Sequence, residues 1–162
     1  MSGAPEAETV TERPIRVSGE AAEVARAEAQ AVLAMIQDET RRGRLADVVA
    51  AIDDGEVAGD DADALAELLE LGLQTGRIRA VYGPEGEQGA LALFRRLPLG
   101  RELAQSTRDL NEALTALEGR TIEKLSVSAV GPGEYGVTIS TEEYEIVLRL
   151  GRAGARLATI GA

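Results

Sequence analysis

The chain of 162 residues is the length of one ordinary domain and short for two, and with 44% hydrophobic residues it can bury a core. It contains neither His nor Cys, which excludes disulfides, thiolate zinc sites, iron–sulfur clusters and imidazole-based acid–base or metal chemistry. The formal charge of −11 repels phosphate backbones and anionic lipid and so disfavours nucleic acid and membrane as partners. No apolar run approaches the roughly 20 residues that span a bilayer. The start, MSGAPEAETVTER, is acidic and polar where a signal peptide is basic and then apolar. A cytoplasmic protein is expected.

Residues 1–17 mix Pro, Glu and Thr without an apolar period and are expected to form a flexible tail. Ser18 is a plausible N-cap for a first helix, with the stripe Ala22, Ala25, Ala29, Val32, Leu33 and Ile36 running to Arg41, Arg42 and Gly43. Its many alanines bury little area and favour close packing. A second, short helix follows from Leu45, Val48, Val49 and Ile52 to Gly55. A third, capped by Asp60 or Asp61, carries the buried stripe Leu65, Leu68, Leu69 and Leu73 before Gly76. Ile78 to Tyr82 reads as a strand, Pro84 opens a fourth helix ending before Pro98, and a fifth runs from about Gly100 to Gly119.

Beyond Gly119 the period changes from helical to alternating. Leu125, Val127 and Ala129, then Tyr135, Val137 and Ile139, then Tyr144, Ile146, Leu148 and Leu150 mark successive strands separated by turns. A last strand covers Ala155 to Ile160, with Leu157 and Ile160 on opposite parities. The expected fold class is α+β: an N-terminal segment of about five helices (18–118), then a four-stranded antiparallel meander (119–162) packed on helix five, helices and sheet sharing one core as a single domain.

Residues 45–76 hold nine acids and no base. The segment Asp53, Asp54, Gly55, Glu56, Val57 superficially imitates a calcium loop, but with Gly55 in the sixth place, Ala50 and Ile52 fall where oxygen ligands belong. Gly83, Gly86 and Gly89 imitate a phosphate loop, yet Glu85 and Glu87 flank them and no Walker Lys follows. Lys124, the only lysine, lies beside Glu123 in a predicted strand, a poor setting for a catalytic base. Four aromatics, Tyr82, Phe94, Tyr135 and Tyr144, are too few to build sugar platforms or a base-stacking surface. No catalytic, cofactor or metal residue is expected.

The expected function is non-catalytic: an adaptor, assembly factor or accessory subunit docking a basic protein partner. Its acidic surface comprises Asp53, Asp54, Glu56, Asp60, Asp61, Asp63, Glu67 and Glu70, with Leu71 and Val57 as exposed apolar anchors. One alternative is a small-ligand or sensor module with a pocket between the sheet and helix five. Another is a winged-helix regulator, using helices two and three with Ile78 to Tyr82 as wing; acids at Asp61, Asp63, Glu67 and Glu70 give its recognition helix the wrong sign. A homodimer through the seam Leu103, Leu110, Leu114 and Leu117 is a further expectation.

Overall fold

A computed structural model of the chain describes residues 13–151 and 154–161. These form two compact units, divided between Leu99 and Gly100. No helix among the described residues is long and apolar enough to cross a membrane.

In the first unit, residues 1–12 of the expected tail lie outside the described residues, and the remainder corrects that expectation. Strand β1 (Ile15–Arg16) pairs antiparallel with β2 (Glu56–Val57), with Ile15 opposite Val57. Ile15, Val17 and Val57 are all buried, and the Val17 N–H donates to the Gly55 carbonyl at 2.8 Å. A short apolar alternation thus orders a segment whose composition reads as tail. It also withdraws Val57 from the surface.

Helix α1 (Gly19–Met35) is shorter than its stripe suggests. The expected continuation to Gly43 is overturned because Asp38 caps a new helix, α2 (Glu39–Asp54), by accepting the Arg41 N–H at 2.8 Å. Four orphan N–H groups at a helix start make such a cap worth about 1 kcal/mol, enough to place a break in an otherwise helix-prone run. Helix α3 (Gly59–Gln74) starts after Ala58, which provides no side-chain cap; Asp60 and Asp61 sit in its first turn, where their charge complements the helix dipole.

Ile78 to Tyr82 is not a strand. It forms the first part of α4 (Arg77–Phe94), kinked at Gly83, whose φ of 73° and ψ of −175° break the helical path ahead of Pro84. Ile, Val and Tyr favour strands locally, but here Ile78 is fully buried in the helical core, and tertiary burial prevails over propensity. The wing expected from this segment is therefore not formed there. As expected for an alanine-rich helix, α1 approaches α4 closely: a Cβ built at Gly89 falls 3.4 Å from the Ala21 backbone nitrogen. The unit's core is centred on Ala25, Ala29, Leu65, Leu69, Ile78 and Leu93.

The second unit joins α5 (Pro98–Leu114) and a following 3₁₀ turn (Thr115–Leu117) to a sheet of order β3-β4-β5-β6. Its strands are β3 (Lys124–Gly131), β4 (Glu134–Ser140), β5 (Glu145–Gly151) and β6 (Gly154–Gly161), every neighbouring pair antiparallel. The α+β class and the meander are as the periodicity predicts. Leu110, Ile146 and Leu148 form the buried cluster, with Leu114, Leu117, Val137, Ile139 and Ala155 packed against it. Leu110, Leu114 and Leu117 thus pack on the sheet of their own chain.

The parity conflict in β6 has a simple cause. Leu157 pairs with Leu148 and Thr159 with Val147, so Ala158 is an inserted residue between two regular stretches. That bulge returns Ile160, opposite Ile146, to the face that Leu157 occupies.

Candidate functional site

On α3, Asp60, Asp63, Glu67 and Glu70 follow one another at spacings of three and four, and Leu71 lies four residues after Glu67, which places all five along one side of the helix. The opposite side, through Leu65, Ala66 and Leu69, is buried. Burial of that apolar stripe fixes the rotation of α3 and so turns the acids outward. Leu71 is 62% exposed, at the C-terminal end of the same ridge.

The remaining predicted site residues are placed otherwise. Asp53 forms an ion pair with Arg26 of α1, and Glu56 on β2 lies 3.7 Å from Arg16 on β1. Asp54 is exposed at the end of α2, and Asp61 is half-buried, off the ridge. Two of the eight acids are thus turned onto the chain's own arginines. Four acids and one leucine remain together on α3.

Beside this ridge runs a groove of about 430 Å³. Val32 and Ile36 at the end of α1, Leu45 on α2, and Ala64 and Leu68 on α3 give it an apolar floor. Glu67 and Leu71 form one lip, while Arg41 and Arg44 of α2 form the other. Among the described residues neither arginine has an ion-pair partner. An adjoining hollow of about 330 Å³ shares Val32, Leu68 and Leu71 and ends at Glu28, Gly72, Thr75 and Arg77.

Glu28 is only 2% exposed, and Arg77 Nη2 donates to its Oε1 at 3.1 Å. Burial first, then hydrogen bonding and charge from Glu28, push the Tyr82 phenol above the usual 10.0, with Arg77 opposing. A carboxylate kept charged next to the core needs such partners. The sequence carries a trace of this residue: Glu28 interrupts the stripe between Ala25 and Ala29. The groove left no such trace, since its walls come from three separate elements.

Chemically the arrangement offers an apolar trough between an anionic ridge and the guanidinium groups of Arg41 and Arg44. Among the described residues no group of three or more carboxylates is placed to hold a metal ion. No protein-family model, curated protein or solved structure matches the chain.

Proposed function

We propose that this chain is a non-catalytic protein-interaction module that docks a basic, amphipathic segment of another protein along α3. The observation that carries the reading is Leu71, a large apolar side chain 62% exposed where the acidic ridge meets the apolar groove. An interface needs a desolvated apolar anchor for affinity and complementary charge for rate and selectivity. Here one helix provides both. A partner segment would lay apolar side chains over Val32, Leu45 and Leu68 and carry Lys or Arg toward Asp63, Glu67 and Glu70. Arg41 and Arg44 on the other lip would fix its direction by meeting an acidic residue of the partner.

The test is partner recovery from the native cell, comparing the unaltered chain with a triple variant, Asp63→Lys, Glu67→Lys and Glu70→Lys. Asp60 is left in place because its charge in the first turn stabilises the helix. A partner specific to the unaltered chain should fall by roughly tenfold or more with the triple variant and with Leu71→Ala. It should be unaffected by Val81→Ala, an equally exposed apolar position away from the ridge. Equal recovery from all four proteins would refute the reading.

A further inference from the structure

Among the described residues, strand β3 has a neighbouring strand on one side only and forms an edge of the sheet. From Lys124 to Ala129 it pairs with β4 without irregularity. Leu125 and Val127 sit opposite Ile139 and Val137, yet they are 64% and 66% exposed. Helix α5 packs on Val137, Ile139 and the residues of β5 and stops short of covering β3. An edge of this kind is ordinarily guarded by a charge, a proline or a bulge. Between Leu125 and Ala129 the strand has none, in a chain that is 28% charged; the nearest irregularity comes only between Ala129 and Gly131.

The strand is also complementary to itself. An antiparallel pairing about a two-fold axis through Val127 sets Val127 opposite its own copy and Leu125 opposite the second copy's Ala129. Ser126 then meets the second copy's Ser128 on the other face. Lys124 falls opposite the second copy's Val130, so no like charges face each other despite the chain's −11. Every central pair matches in polarity, which is what an isologous interface demands and a foreign strand does not. We infer that the chain associates with a second copy of itself through β3, joining two four-stranded sheets into one continuous sheet. The unpaired N–H and C=O groups of the edge then bond across the seam, and Leu125 and Val127 gain apolar cross-strand neighbours.

Light scattering on the purified full chain at micromolar concentration should give about twice the 17.0 kDa of one chain. Val127→Lys places two ammonium groups face to face on the axis and should return the mass to 17.0 kDa, with the circular dichroism unchanged because position 127 is exposed. Ile160→Lys, on the opposite edge strand β6, should leave the dimer intact. The chain has no Cys, so a single introduced thiol reports its own surroundings. With a short bis-maleimide, Val127→Cys should yield a covalent dimer and Ile160→Cys should not. A native mass of one chain, a dimer that survives Val127→Lys, or linking at position 160 equal to that at 127 would each overturn the inference.

Discussion

Replacing Gly72 by Ala tests how closely α3 approaches its neighbours. A Cβ at this position falls 2.8 Å from Ile78 Cδ1, 2.9 Å from Ile78 Cγ1 and 3.3 Å from Glu28 Oε2. Ile78 has no exposed surface into which it could retreat, so the methyl group overpacks the core, at a cost of about 1–3 kcal/mol. Against this, Ala is better than Gly inside a helix by about 0.8–1.0 kcal/mol. The clash prevails, and Gly72→Ala should destabilise the first unit by about 1 kcal/mol, or about 4–8 °C in Tm for a unit of this size. The same substitution at Gly43 in α2 meets nothing within 4 Å and should instead stabilise by about 0.5–1 kcal/mol. Urea and thermal unfolding followed by helical circular dichroism measure both. If Gly72→Ala proves as stabilising as Gly43→Ala, the helices do not approach as described.

Tyr82 should release its phenolic proton above 10.0, measured as the difference in phenolate absorbance between the native chain and Tyr82→Phe, and Glu28→Gln should lower that value. Because the folded state holds this proton more tightly, the contribution to stability is complete below pH 10.0 and is lost as the pH rises through the folded value. A Tyr82 that titrates at or below 10.0 contradicts the Glu28 contact. Ile146 is fully buried in the second unit, so Ile146→Ala should cost about 2–5 kcal/mol in strand-monitored unfolding, and a loss below about 1 kcal/mol would deny Ile146 its central place. Deleting Ala158 removes the bulged residue and leaves the pairings Leu148–Leu157 and Ile146–Ile160 in place, so the sheet should persist. Deleting Val147, on the regular partner strand, reverses the facing of the residues beyond it and should abolish the sheet; indifference to both deletions would refute the register.

The sheet was readable because alternation is local: each of β3, β4 and β5 shows its inner residues at every second position. Only β6 resisted, since one inserted residue, Ala158, spoils its parity. In the helical half the errors arose where tertiary context decides. Val57 looked exposed because its partner, Ile15, lies in a segment whose Pro and Glu suggest a tail. Ile78 to Tyr82 has the composition of a strand, and only the full burial of Ile78 in the helical core accounts for the helix. The boundary at Asp38 is hidden by an apolar stripe that keeps helical spacing as far as Ile36, and the structure places it through the Asp38 side chain accepting the Arg41 N–H. For the site, the run of acids without a base marks residues 45–76, but which of those acids share a face of α3 with Leu71 follows only from the burial of Leu65, Ala66 and Leu69. The trough beside it required three elements to be brought together, which no local pattern records.

Position 71 provides the most direct test of docking along α3. A benzophenone amino acid placed there, and separately at the control position 81, can be photolysed in the native cell and its adducts sequenced by mass spectrometry. Position 71 should yield one linked protein, joined through a segment rich in Lys or Arg, and the adduct should vanish when Asp63, Glu67 and Glu70 are all changed to Lys. Adducts from position 71 no more specific than those from position 81, or unmoved by the charge reversal, would contradict the account.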